Sequence, residues 1–151
     1  MTQIDPPAPL TTDPKPVVGV GIVVIRDGAN GQEVLLIKRG QAPRLGEWSI
    51  PGGRQELGET VRETAVREAL EETALTVGNL RLIDVVDAFG RNPDGSLRNQ
   101  WVLVDFRADV LAGEAVAGGD AAAVQWVPLN DVAKYVQWTE TRRVIAEGAA
   151  L

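Results

Sequence analysis

Apolar residues follow one another without alternation over residues 17–25 (VVGVGIVVI), return at 33–38, and dominate two longer stretches at 80–89 and 101–110. A β-branched run that is apolar at successive positions predicts a strand buried on both faces. Turn chemistry at Asp27-Gly28-Ala29-Asn30-Gly31 separates that strand from the next, which predicts a hairpin. Asn92-Pro93-Asp94-Gly95 does the same between the two longer stretches and predicts a second hairpin. Between them the period changes. Residues 61–75 contain no glycine or proline, and Thr60 with Glu63 three positions on forms a capping box, so a helix is predicted from Thr60.

Residues 40–53 read as a loop with a short extended piece near Trp48, closed by a turn at Pro51-Gly52-Gly53. A Gly/Ala-rich loop leads to a short strand at 125–127, a helix capped by Asn130 and a last helix from about Thr139. Strands and helices without regular βα alternation predict an α/β or α+β sandwich. Four prolines among polar residues make residues 1–15 a flexible tail in this reading, with one domain over 16–151.

Composition narrows the chemistry. A chain of 151 residues with 44% apolar content fits a single domain that buries its own core. The absence of cysteine and histidine excludes disulfides, thiolate zinc sites, Ser-His-Asp triads and imidazole bases. Proton transfer is left to carboxylates, lysine, tyrosine or a water activated by a metal. A net charge of −6 without a basic stripe argues against nucleic acid as a partner. No apolar run approaches a membrane span and the N-terminus lacks a signal-peptide pattern, so a soluble cytoplasmic chain is expected.

On the helix from Thr60, Glu68, Glu71 and Glu72 fall within an arc of roughly 100°. Ala65, Val66, Ala69, Leu70 and Thr73 gather opposite and are expected to pack on the sheet, leaving the acids to face away from it. The repulsion between Glu68 and Glu72 at i, i+4 costs about 0.2–0.5 kcal/mol, which a hard divalent cation offsets. Such a cation lets an acidic protein accept a diphosphate. Arg67 has the reach to hold an acid such as Glu59 in a bidentate contact.

Gly53, Glu59, Arg67, Glu68, Glu71 and Glu72 stand at the spacings of the Nudix box, running here as GRQELGETVRETAVREALEETAL, and on these residues the chain resembles the Nudix hydrolase family. The resemblance implies a Nudix-like α/β/α sandwich with a mixed sheet and cleavage of a pyrophosphate bond in a nucleoside diphosphate derivative. It implies that Glu68, Glu71 and Glu72, with the Gly52 carbonyl, hold Mg²⁺ or Mn²⁺, and that Arg67 and Glu59 orient them, with Gly53 structural in the box. Glu68 or Glu71 is then the base. Asp120 is implied as a further ligand or base, with Glu56 a comparable candidate.

Outside the box, Arg39 and Arg44 are candidates for phosphate contacts and Trp101 for stacking on a base, the other tryptophans being read as core. Two positions depart from the family pattern. Ala69 replaces a larger aliphatic residue, and Ala74 replaces a glycine, so the helix is expected to run past Ala74 and stop at Gly78. ADP-ribose or a similar nucleotide sugar is the favoured substrate. A (d)NTP pyrophosphohydrolase and a non-catalytic nucleotide-sensing domain are the alternatives, and a homodimer is left open.

Overall fold

The computed structural model describes residues 15–42 and 44–151, so the tail expected at the N-terminus lies, apart from Lys15, outside the described residues. Strand β1 (Val17–Gly28) is the centre of the molecule. One edge runs parallel to β6 (Leu97–Ala112), with Val17 beside Trp101 and Val24 beside Ala108. The other edge is divided. Residues 19–21 pair antiparallel with β4 (Gly52–Arg54), and residues 25–28 pair with β2 (Gly31–Arg39) through the expected hairpin.

β5 (Thr76–Arg91) closes the second hairpin against β6, and β2 also takes β3 (Trp48–Ser49) and β7 (Ala121–Pro128). One parallel pair among antiparallel ones makes the sheet mixed, as expected.

Period-two alternation on β1 assigns its side chains to two layers. Val20, Ile22 and Val24 pack with Ala65 and Ala69 of helix α1 (Val61–Thr73). Val23 and Ile25 pack on the other face with Val144 and Ile145 of α3 (Thr139–Ala149) and with Val132 of α2 (Val132–Tyr135). At ~1.5–3 kcal/mol for each fully buried Val or Ile, β1 is the anchor of both cores. The result is the α/β/α sandwich. No helix among the described residues is long and apolar enough to cross a membrane.

Three local expectations are corrected. Pro51-Gly52-Gly53 does not form a turn: Gly52 and Gly53 begin the strand β4, with Gly52 opposite Gly21 and Gly53 opposite Val20. Asn130 does not cap a helix; residues 129–131 form a 3-10 turn after Pro128, and Asp131 at the start of α2 makes no side-chain cap, bonding instead to Lys134 at 3.0 Å.

The third concerns Ala74, which ends α1 in the left-handed conformation at φ 62°, with its N–H bonded to the Leu70 carbonyl. The helix does not reach Gly78, which lies in β5. The chain must reverse there because Leu75 is 1% exposed in the core and Thr76 already pairs with Ala112. Ala74→Gly is therefore expected to raise the unfolding free energy by ~0.5–1 kcal/mol, the relief of left-handed strain outweighing the added freedom of the unfolded chain. Urea titration would report this as a higher midpoint with an unchanged slope. A lower midpoint would mean that the strain is absent.

Candidate active site

The capping box forms as the sequence requires: Thr60 Oγ1 accepts from the Glu63 N–H at 3.1 Å, and Glu63 Oε1 accepts from the Thr60 N–H at 3.2 Å. This fixes the start of α1 and hence the direction of every side chain on it. The buried stripe is Thr64, Ala65, Ala69, Glu72 and Thr73. Leu70, expected in the core, is 52% exposed, and Glu72, expected to face away, is 6% exposed. At 100° per residue Glu72 lies between Ala65 and Glu68, on the core side of the acidic arc. Its Oε1 accepts the Gly52 N–H at 2.7 Å, which ties α1 to β4.

Arg67 organises the remaining acids. Its Nε and Nη2 hold the two oxygens of Glu59 at 2.7 and 2.9 Å, and its Nη1 lies 2.8 Å from Glu68 and 3.3 Å from Glu71. Nη2 also donates to the Arg54 carbonyl at 3.1 Å, and Glu56, largely exposed, stands 3.8 Å away. Glu59 further accepts from the Glu56 N–H and the Thr64 hydroxyl. The Arg67 guanidinium, with those donors, holds the Glu59 carboxyl down at about 2. The Arg67–Glu59 fork thus fastens the loop before α1 to the helix, as a bidentate pair does well. Gly53 lies close under this group: a Cβ there would overlap the Glu68 carboxylate, which would have to swing from its present position.

Burial pushes Glu68 up to about 7 against the pull of Arg67, and pushes Glu72 up to about 8 against the Gly52 N–H. Glu71, Glu68 and Asp120 add like charge to this group. Asp120 is brought into range because the Gly118 N–H bonds the Glu72 carbonyl, while the Asp120 carbonyl accepts the Gly40 N–H.

Among the described residues no three acidic side chains are gathered closely enough to enclose an ion, since Arg67 draws Glu68 and Glu71 and Gly52 holds Glu72. The donor set nevertheless fits Mg²⁺ or Mn²⁺. It is all oxygen, and burial disfavours the charged forms of Glu68 and Glu72, a cost that a bound hard cation would offset.

An open cavity of about 340 Å³ is lined by Arg39, Arg44, Trp48, Ser49, Gln137 and Trp138 among others, and of these Arg39 lies near enough to Glu72 for its charge to lower that acid's pKa. Both arginines named from sequence line it. Trp101 does not: it is 2% exposed, inside the core on the α3 side. Trp48 and Trp138, read from sequence as core residues, do pack partly buried against the α3-side core and also line the cavity, with Trp48 set edge-on against Tyr135 at 5.6 Å. Nothing local distinguished them, because their meeting depends on β3 and the approach to α3 converging from positions 48 and 138. Ser49 lines the cavity and Gly52, three residues on, meets Glu72, so one short segment joins cavity and carboxylates.

The chain is similar to known proteins in sequence and in fold. An "ADP-ribose pyrophosphatase" of Methanocaldococcus jannaschii is 37% identical over 119 residues, 79% of this chain, which spans 66% of that relative's own length. A "Putative 8-oxo-dGTP diphosphatase 2" of Mycobacterium tuberculosis is 36% identical over 115 residues, covering 74% of this chain and 77% of that protein. The NUDIX domain of Shewanella oneidensis NrtR, solved with ADP ribose, superposes with a TM-score of 0.75 over 90% of this chain and 88% of that one, at 23% identity that speaks to fold alone. The NUDIX domain model matches residues 15–147, and the chain belongs to that family.

Proposed function

We propose that the protein is a metal-dependent pyrophosphohydrolase of nucleoside diphosphate derivatives, with ADP-ribose or a similar nucleotide sugar as substrate. The observation that carries this reading is the segment from Ser49 to Gly52, which joins a cavity bearing two arginines and two tryptophans to the carboxylate face of α1. Guanidinium groups at Arg39 and Arg44 suit phosphate oxygens, and the indoles of Trp48 and Trp138 suit a base or ribose.

Glu68, Glu71 and Glu72 would hold the cation, with Asp120 and the Gly52 carbonyl beside them. When bound it supplies charge neutralisation at the pyrophosphate and activation of the attacking water. Glu68 or Glu71 takes the water's proton. Glu68 suits that task by position, being held by Arg67 on the same face of α1 as Glu71 and Glu72. Arg67 keeps Glu68 in place, and Glu59 keeps Arg67 in place.

The relative that acts on ADP-ribose supports the sugar-linked substrate, and the relative named for 8-oxo-dGTP, of similar identity, supports a triphosphate as the second reading. The purified chain, assayed with Mg²⁺ against ADP-ribose, NADH, diadenosine polyphosphates and (d)NTPs, is expected to release AMP from ADP-ribose. Trp138→Ala should raise KM by roughly 10-fold with little change in kcat, as the loss of one stacked base would. Pyrophosphate release from a triphosphate alone would promote the second reading. Cation binding without turnover of any compound would make the domain a sensor.

A further inference from the structure

The edge strand β5 is open along its outer side: among the described residues it pairs only with β6. Exposed sheet edges are usually blunted by lysine, proline or a bulge. β5 contains no lysine or proline, and between the register shifts at Leu82/Asp84 and Gly90/Arg91 its residues 84–90 run regularly against β6, the second shift leaving Arg98 of β6 as the unopposed residue.

The outward direction of each backbone group follows from two bonds. The Asn92 N–H bonds the Ser96 carbonyl across the hairpin, so even-numbered residues of this stretch turn inward and odd-numbered ones outward. Consistently, the Val85 N–H is taken by the side chain of its neighbour Asp84 at 2.8 Å. Asp87, Phe89 and Arg91 therefore present their N–H and C=O groups to the outside.

The same residues carry an apolar face. Val85 and Phe89 are 49% and 50% exposed, and Leu97, cross-strand from Arg91, is 55% exposed. Val85 is paired with Val104 and Asp87 with Val102, both half-buried, so α1 covers only part of this side of the sheet. Charge alternates along the strand: Asp87, then Phe89, then Arg91, whose guanidinium lies 5.9 Å from the Phe89 ring centre.

We propose that β5 is a homodimer interface in which two copies pair antiparallel about a twofold axis at Phe89, setting Asp87 of one copy opposite Arg91 of the other. In this register the two Phe89 rings meet on the axis and each ion pair occurs twice. One step further along, Val85 would face Pro93 of the partner subunit. Pro93 has no N–H to give and the Val85 N–H is already bonded, so the ladder ends where neither chain offers more. A register centred on Asp87 instead would oppose two like charges, which cross-strand pairing disfavours. The strand thus specifies its own copy and one alignment, and the surface lies outside the candidate active site.

Equilibrium sedimentation of the full chain across the micromolar range tests this with Asp87→Arg, Arg91→Asp and the double variant D87R/R91D. The wild type is expected to dimerise. Each single variant should weaken association by ~30-fold, two symmetry-related pairs each losing about 1 kcal/mol, and the double variant should restore it. Circular dichroism identifies any variant that fails to fold, and the exposure of both side chains leads us to expect native spectra. A monomeric wild type, as when residues 1–14 or another protein cover the face, would overturn the proposal. So would a dimer indifferent to the single changes, or one that folded D87R/R91D does not recover.

Discussion

Glu72→Gln is expected to lower kcat/KM by at least ~10³-fold while making the metal-free fold more stable at pH 9. The loss follows from removing a negatively charged ligand, a change of about 4 kcal/mol in the barrier at that rate ratio. The gain follows from burial. Glu72 is 6% exposed, and its folded pKa of about 8 lies above the ordinary glutamate value of 4.5. The folded state therefore binds the proton more tightly than the unfolded one.

The stability penalty is absent below about 4.5, grows as pH rises, and is complete above about 8. Glutamine keeps an Oε1 acceptor for the Gly52 N–H and cannot ionise. Urea unfolding with chelator present should show a gain on the order of 2 kcal/mol at pH 9 and little at pH 5. An active variant would remove Glu72 from the site, whereas an inactive variant destabilised at pH 9 would make its role structural.

The second large effect is expected at Asp105, which no sequence pattern had marked. Asp105 lies on β6, is 2% exposed, and its Oδ1 has no hydrogen-bond partner. It fits only because Gly21 stands beside it in the parallel register: a Cβ at Gly21 would overlap Oδ1. Burial, and then the charge of Asp84, push its pKa up to about 7. Arg143, whose charge opposes this, is shared among Asp84, Glu140 and Glu147 at 2.9, 2.7 and 2.8 Å.

The sign is again that of an acid raised on folding, so stability falls as pH climbs from about 4 to about 7. Asp105→Asn should stabilise the protein by ~2–4 kcal/mol at pH 8, the upper figure being the full linkage, and should be near neutral at pH 4. Equal destabilisation at both values, read from urea midpoints, would show that Asp105 is ionised and paired in the folded state.

What the sequence made legible was local. Both hairpins, the capping box at Thr60 and the Arg67–Glu59 contact depend on residues within about one turn or loop of each other, and each formed. The box letters marked a set of acids but not which of them the core would cover. The spacing alone sets Glu72 among outward-facing acids, because its burial depends on β4 crossing the helix. That crossing rests on the pairing of β4 with residues 19–21 of β1, about thirty residues away in the chain. Trp101 is buried in the core for the same reason, since a tryptophan's neighbours are chosen by the sheet order, while Trp48 and Trp138 pack on that core as expected and also reach the cavity. Ala74 resisted prediction because the demand on it came from Leu75 and Thr76 entering the core and sheet, which outweighed an alanine's preference to stay helical.

The divided edge of β1 also governs how the molecule folds. Its antiparallel partners β2 and β4 lie close in sequence, but its parallel partner β6 joins residue 17 to residue 101, more than half the chain away. Closing so large a loop is entropically slow and is repaid only when both faces of β1 are covered. A chain truncated before Leu97 would retain every letter of the box and still lack the strand against which β1 is seated. During synthesis the carboxylate site is therefore a late product, assembled only after the second hairpin has emerged, and the box cannot be transplanted as an independent folding unit.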